Sequence, residues 1–141
     1  MAFDSPAAVE AAFYSAFSDL NLAGMRAVWL DSGAASCIHP GSALLQGLDS
    51  IMASWAAIFD NSQAPRVEPR LIQASADQNL AVHTVAESVR TGSGEKSALV
   101  MATNVYTRVE GGHWLMLAHH ASLPLVEPDQ DPGEPPAAPL H

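Results

Sequence analysis

Apolar residues recur at helical spacing in three segments of the first sixty residues. Residues 5–20 form the first segment, and Ser5 and Pro6 suit the cap and the first position of a helix. The apolar stripe of this segment consists of Val9, Phe13, Phe17 and Leu20. Residues 21–29 and 48–59 predict two further helices, so the first half of the chain supplies helices that must cover a core.

The second half of the chain changes to residues that favour strands. The stretches NLAVHTVAESVR and SALVMATNVYTRV are rich in β-branched and apolar residues, with Thr interspersed. The pattern predicts extended segments at about residues 66–75, 79–91, 96–109 and 113–123. The turn signals TGSGE and EGGH indicate antiparallel hairpins, and Pro69 indicates that the first segment is an edge strand or contains a bulge.

A short strand is also predicted before the third helix. The stretch AASCI leads to His39, and Pro40 and Gly41 then turn the chain. Helices followed by strands predict the α+β class, with the helices packed on one face of an antiparallel sheet. A strongly curved sheet wrapped around the first helix would form a cone with a pocket at its open end.

Composition predicts one folded domain followed by an acidic tail. The chain has 141 residues, of which 48% are hydrophobic and 15% charged, and this is enough to bury one core. Residues 1–123 are therefore predicted to form a single domain. Residues 124–141 hold six of the ten prolines and four acidic residues, with neither Lys nor Arg, and this composition predicts a disordered extension.

Charge and hydropathy argue against several classes of protein. The formal net charge of −9 disfavours binding to a nucleic-acid phosphate backbone. No apolar run approaches the ~20 residues that span a bilayer, and the N-terminus lacks the basic start of a secretory signal. A single cysteine cannot form an internal disulfide, so the expected location is the cytoplasm. No nucleotide-binding motif is present, and no cofactor is expected.

Two stretches carry a resemblance to a known superfamily. AVWLDSGAASCIHPGSALLQGLDSIMASW contains an aromatic-ended helix, a strand, a His-Pro corner and a helix, and ATNVYTRVEGGHWLMLAHHAS corresponds to a last hairpin. Over residues 5–123 the chain resembles the nuclear-transport-factor-2-like superfamily, and within it the SnoaL-like and ketosteroid-isomerase-like branch. The resemblance implies a cystatin-like cone. It implies no single activity, because the superfamily includes isomerases, cyclases, dehydratases, hydrolases and non-catalytic binders.

The resemblance also implies roles for individual residues. His39 stands before Pro40 where ketosteroid isomerases carry their Asp general base, and an imidazole titrates near ~6.5. Asn104 aligns with a protonated Asp of the steroid enzymes and could donate a hydrogen bond to an oxyanion. Phe13 takes the place of the oxyanion Tyr on the first helix, and Tyr14 is predicted to lie about 100° away around that helix.

The adjacent histidines of the last strand must point to opposite faces of the sheet. Alternation groups His120 with Trp114, Met116, Ala118 and Ser122, and the resemblance places this set inside the cone. His120 is therefore predicted as a polar partner of His39, and His119 as a surface residue. The predicted pocket residues are Phe13, Trp29, Trp55, Tyr106, Met116 and Ser122. The alternative for each histidine is a purely structural role.

Metal and cysteine sites have weaker support. His39, His120 and Glu87 could supply three metal ligands, but no HxH, HxxxH or Cys/His cluster is present and no metal is predicted. Cys37 lies two residues before His39 on the same strand face, which allows a Cys–His dyad. A buried apolar cysteine is the favoured interpretation.

Two functions remain open from the sequence. The first is binding of a small apolar or aromatic molecule with a carbonyl, and its isomerisation, dehydration or cyclisation by a His general base without a cofactor. The alternative is a non-catalytic ligand-binding or dimerisation module, with a homodimer formed through the Val-, Leu- and Thr-rich sheet face. A polar pocket where His39 and His120 converge would favour the first. A cone plugged by the rings of Phe13, Phe17 and Trp55 would favour the second.

Overall fold

A computed structural model describes residues 2–61, 65–91 and 97–124 of the chain. The helices are α1 (Pro6–Asp19), α2 (Leu22–Val28) and α3 (Leu48–Phe59). The strands are β1 (Ser36–Ile38), β2 (Leu45–Gln46), β3 (Pro65–Ala76), β4 (Leu80–Thr91), β5 (Ala98–Arg108) and β6 (Trp114–Ser122). The predicted TGSGE turn and the tail beyond Pro124 lie outside the described residues, apart from Thr91. No helix within these ranges is long and apolar enough to cross a membrane.

The strands form one curved sheet in the order β2-β1-β6-β5-β4-β3. All neighbouring pairs are antiparallel except β1 and β6, which run parallel. Strand β3 lies at the edge, as Pro69 predicts, and a bulge follows between Leu71 and Gln73. The arrangement confirms the α+β prediction, and α1 packs against the concave side of the sheet through Val9, Phe13 and Phe17.

The two ends of α1 follow from local hydrogen bonding. Ser5 caps the helix, because its hydroxyl accepts a hydrogen bond from the backbone N–H of Ala8, and Pro6 occupies the first turn. The helix ends at Leu20, whose φ of 54° is left-handed. Leu20 was predicted to extend the apolar stripe, and this is wrong. The chain has left the helix at that point, and the side chain is 40% exposed.

A bulge in β6 exchanges the buried and exposed positions that were predicted for the second half of this strand. Val105 pairs with Ala118 and Tyr106 pairs with Met116, so Leu117 is one extra residue. Beyond this bulge His119 and Ala121 are buried, whereas His120 and Ser122 are exposed. The predicted placement of His120 and Ser122 inside the cone is therefore wrong, as is the surface position of His119. The strict alternation of inward and outward side chains fails here, because the extra residue of the bulge exchanges the two faces for the rest of the strand.

Gly47 allows the chain to enter α3 from β2. Its φ of 85° and ψ of 150° are essentially confined to glycine. We expect Gly47→Ala to lower the free energy of unfolding by about 1–3 kcal/mol, the cost of such backbone strain, as measured by urea denaturation. Gly33→Ala is the control, because Gly33 has open space around it and its φ is not positive. Equal effects of the two substitutions would contradict the strain.

Candidate functional site

His39 is held at the corner after β1 by a tight turn. Its backbone N–H donates to the Ser42 hydroxyl at 2.9 Å, and its carbonyl accepts from the Ser42 N–H at 2.9 Å. Pro40 contributes no N–H, and Gly41 takes a left-handed φ of 77°. The backbone of this corner is therefore fixed by local sequence, which explains why the imidazole is presented at the end of the strand.

The side-chain partners of His39 define its tautomer. Nε2 lies 2.9 Å from the Ser54 hydroxyl, and that hydroxyl donates its own proton to the Ile51 carbonyl at 2.6 Å. The Ser54 oxygen must therefore accept from His39, so Nε2 carries the proton and Nδ1 presents a lone pair. Burial lowers the pKa of His39 below its ordinary value. His39 is thus a neutral, half-buried imidazole with an unprotonated Nδ1 at neutral pH.

A chain of buried hydrogen bonds crosses the interior of the cone. His119 Nδ1 lies 2.6 Å from Asn104 Oδ1, the Asn104 amide donates to the Tyr14 hydroxyl at 2.9 Å, and Tyr14 donates to Glu87 Oε2 at 2.6 Å. Because an amide oxygen only accepts, His119 must carry its proton on Nδ1. We call these four residues the polar chain. Its donors all point from His119 towards Glu87.

Burial dominates the protonation of the polar chain. It raises the pKa of Glu87 to about 7, against a smaller lowering effect of the Tyr14 hydrogen bond. It lowers the pKa of His119 to about 3, and repulsion from protonated His39 and His120 acts in the same direction. Burial, together with the nearby Glu87 carboxylate, also raises the pKa of Tyr14 above its usual range. At neutral pH the imidazole and the phenol are therefore both uncharged.

A second polar group lies beside the polar chain. The hydroxyl of Tyr106 donates to Glu10 Oε1 at 3.0 Å, and His83 Nδ1 lies 3.0 Å from Glu10 Oε2. The His83 and Tyr106 rings meet edge to face, with centroids 5.1 Å apart. His83 is thus directed inward, towards α1. Glu10 and Tyr14 are one helical turn apart on α1, so one helix face holds both polar groups.

Aromatic rings fill the space between α1, α3 and β6. Phe13 packs against Trp55 and His119, with centroids 5.6 Å and 4.9 Å away. The Trp55 ring also meets the His39 ring perpendicularly at 4.7 Å and the His119 ring at 6.1 Å. One indole therefore adjoins both imidazoles. His39 and His119 both contact Trp55, in place of the predicted pair of His39 and His120.

Five of the six predicted pocket residues are buried core. They are Phe13, Trp29, Trp55, Tyr106 and Met116. Two cavities of about 330 and 490 Å³ lie elsewhere. The first is beside Asp19, Arg66 and Arg90, and the second is beside Leu22 and Phe59. The residues around the polar chain thus belong to the packed core.

Sequence reasoning missed Tyr14 and Glu87 as members of the polar chain that contains Asn104. Tyr14 was set aside because it lies one residue from Phe13, but both side chains are buried. A wide face of α1 is covered, so neighbours about 100° apart on the helix both point into the core. Glu87 alternates with His83 and Val85 along β4, and their shared inward orientation was the signal available in the sequence.

Cys37 lies close to His39 but is not activated as a nucleophile. Its Sγ is 3.7 Å from His39 Nε2, and the side chain has no exposed surface. Burial, together with the charge of Glu87, raises the pKa of this thiol to about 12, so it remains protonated at neutral pH. This agrees with the favoured interpretation of a buried apolar cysteine. Within the described ranges no three His, Cys, Asp or Glu side chains group to hold a metal ion.

Comparisons with known proteins place this chain among small α+β domains. The sequence model of the SnoaL-like domain matches residues 7–126. A solved structure from Thiobacillus denitrificans, described as a candidate calcium/calmodulin-dependent protein kinase type II association domain, is 33% identical, with a TM-score of 0.81. The match covers 87% of this chain and 98% of that one.

Two further relatives are more distant. A candidate dehydratase of the NTF2-like family from Streptomyces avermitilis is 27% identical over 84% of this chain and 93% of that one, with a TM-score of 0.75. The F-box protein SKIP8 of Arabidopsis thaliana is 25% identical over 122 residues, or 86% of this chain. The match spans about half of SKIP8, 51% of its length.

Proposed function

Because the chain belongs to the SnoaL-like domain family, we propose that it binds a small apolar or aromatic molecule with a carbonyl and moves a proton next to that carbonyl. The reaction class is isomerisation, dehydration or cyclisation, and it needs only side chains. The observation that carries the proposal is His39, a neutral imidazole at the end of β1 whose Nε2–H is bonded to Ser54. Its Nδ1 is left as a base.

In the proposed step, Nδ1 of His39 takes a proton from the carbon next to the carbonyl. The electron pair of the broken C–H bond moves towards the carbonyl oxygen, which gains negative charge. The protonated imidazole then returns the proton to another atom of the substrate or to a leaving hydroxyl. Proton abstraction of this kind begins both isomerisation and dehydration, and the Streptomyces avermitilis relative is described as a candidate dehydratase.

The other two catalytic candidates take different places in this proposal. Asn104 acts as a positioning residue, since its amide is bonded to His119 and Tyr14. His120 has no part in the interior, because it is exposed and bonded to Ser36 at 3.0 Å. His119 takes the inward place that was assigned to His120. Since burial holds its pKa low, it offers an uncharged imidazole beside the substrate.

Replacement of His39 tests the proposal directly. We expect His39→Ala to lower turnover of an enolisable flat ketone by about 10²–10⁴-fold, the usual contribution of a general base. Solvent exchange of the α-protons of 2-tetralone, followed by proton NMR, is the measurement. His120→Ala is the matched control and should retain the exchange rate, because the side chain is exposed. A folded His39→Ala protein with the parent rate would reject the proposal.

A second candidate function is a non-catalytic association module. Two observations favour it: the aromatic packing of the interior, and the 33% identity to a protein described as a kinase association domain. It predicts that the parent protein and both His variants leave the exchange rate of 2-tetralone at the uncatalysed value. Self-association through the outer sheet face would then be the property to measure, by sedimentation velocity.

A further inference from the structure

Trp55 carries a buried hydrogen-bond donor that has no partner. Its ring has no exposed surface, and its indole Nε1–H is one of two buried side-chain N or O atoms without a partner among the described residues. A buried donor left unpaired costs about 1–3 kcal/mol, and native proteins contain few of them. The unpaired Nε1–H of Trp55 therefore needs an explanation. A ligand that supplies the missing hydrogen-bond acceptor would explain it.

The position of this donor connects it to the site. The Trp55 ring meets the His39 ring at 4.7 Å and 89°, and the His119 ring lies 6.1 Å from it. The free lone pair of His39 Nδ1 and the free N–H of Trp55 thus belong to two rings in direct contact. One imidazole that accepts and one indole that donates form a complementary pair for a single small molecule.

We propose that the Trp55 Nε1–H is the hydrogen-bond donor of the ligand site and binds the carbonyl or phenolic oxygen of the ligand. This inference rests on the proposed function, because it takes His39 as the group facing the ligand's acidic proton. The substrate class follows: flat, neutral molecules that offer an oxygen acceptor next to a C–H or O–H donor, such as enolisable aryl ketones and phenols. Flatness is required because rings surround the indole.

The packing around Trp55 sets a condition on binding. Phe17 and Phe59 also adjoin the indole, with centroids 4.9 Å and 5.7 Å away. A ligand must therefore displace part of this ring cluster, and its own aromatic surface can replace the contacts that are lost. This favours aromatic over aliphatic ketones as ligands.

Trp29 provides a matched control within the same protein. Its Nε1 is the other unpaired buried donor, and the side chain is 3% exposed. Its ring packs against Phe13 at 6.4 Å at the end of α2, and neither histidine is among its ring contacts. Trp29 thus shares the unpaired donor of Trp55 without its contact with His39. A general response of buried indoles would affect both residues equally.

The test uses nitrogen–proton correlation spectra of the full chain, which contains three tryptophans. The indole resonances are assigned with Trp55→Phe and Trp29→Phe, and the protein is titrated with 2-naphthol and 2-tetralone. We expect the Trp55 indole proton to move downfield on binding while the Trp29 proton stays in place. We expect Trp55→Phe to weaken binding by about 3- to 10-fold, the effect of one neutral hydrogen bond, and Trp29→Phe to leave it unchanged.

The outcomes separate this inference from the proposed function. If the ring protons of His39 shift with either probe but the Trp55 indole proton does not, the donor assignment is overturned while the proposed site stands. If neither residue responds to the probes, both are overturned. If Trp55→Phe fails to fold, Trp29→Phe and Trp114→Phe assign the other two indole resonances and leave that of Trp55 by elimination, so the titration of the parent protein still decides.

Discussion

Acidification below pH 4.5 is expected to destabilise the protein steeply, with His119 as the main cause. Its pKa is about 3 in the folded protein against an ordinary value of 6.5. Between these values the unfolded chain binds a proton at this site and the folded chain does not, so stability falls as the pH falls. At about 1.4 kcal/mol for each pH unit, the contribution of His119 falls by on the order of 5 kcal/mol over the whole range, and about 2 kcal/mol of this is lost below pH 4.5.

Glu87 has the opposite effect over part of this range. Its pKa is about 7 in the folded protein against an ordinary 4.5. Between these values the folded chain keeps a proton that the unfolded chain has lost, so stability falls as the pH rises. From pH 4.5 to 6.5 the two effects therefore oppose each other. The expected profile is shallow in that window and steep below it, where His119 acts without opposition from Glu87. The lowered pKa of His39 acts in the same direction as that of His119.

Urea denaturation between pH 3.5 and 8 measures this profile. His119→Asn keeps a donor near Asn104 but cannot titrate. We expect a lower stability at neutral pH, from the cavity, and a much shallower loss in acid. His120→Asn is the control, one residue away on the opposite face of β6, and should keep the steep acid loss. If His120→Asn flattened the profile and His119→Asn did not, the assignment of the acid loss to the buried His119 would be rejected.

Much of the fold follows from features that act within a few residues. Ser5 and Pro6 mark the start of α1, and Pro40 and Gly41 mark the corner that presents His39. The exclusion of Pro69 from a central strand correctly assigns β3 to the sheet edge. Each of these signals depends on the backbone properties of the residue itself and not on contacts with distant segments. The His39 corner was therefore predictable, as was the burial of Trp55 from the helical spacing of α3.

The interior partners of the site depend on contacts between distant segments. The bulge at Leu117 has no glycine or proline to mark it, and it becomes visible only in the pairing of β6 with β5. One inserted residue exchanges His119 for His120 at the interior face. Likewise, Tyr14 and Glu87 are 73 residues apart in the chain and meet only because β4 lies beneath α1. The hydrophobic periodicity predicts which segments have a buried face. It does not predict where a bulge exchanges the buried and the exposed positions of a strand.

Replacement of Asn104 by leucine is expected to be among the most damaging single changes. Asn104 is fully buried on β5 and bonds His119 through its oxygen and Tyr14 through its nitrogen. Leucine has a similar size but can neither donate nor accept, so the His119 N–H and the Tyr14 hydroxyl each lose a partner. The His119 N–H is left unpaired, at about 1–3 kcal/mol, whereas Tyr14 keeps its bond to Glu87 and loses one bond of about 0.5–1.5 kcal/mol, so the free energy of unfolding should fall by about 1.5–4.5 kcal/mol, as measured by urea denaturation.

The neighbouring position supplies the control for Asn104. Thr103 precedes it on β5 and is exposed on the other face, so Thr103→Val should change stability by no more than about 0.5 kcal/mol. Asn104→Asp should fall between the two, because a carboxyl group of the same shape still accepts from His119 but donates to Tyr14 only after it takes up a proton, which burial favours. If Asn104→Leu cost no more than Thr103→Val, the hydrogen bonds of the polar chain would contribute nothing to stability. The order leucine, aspartate, threonine control thus compares the loss of both hydrogen bonds of the amide with a change of its donor group alone.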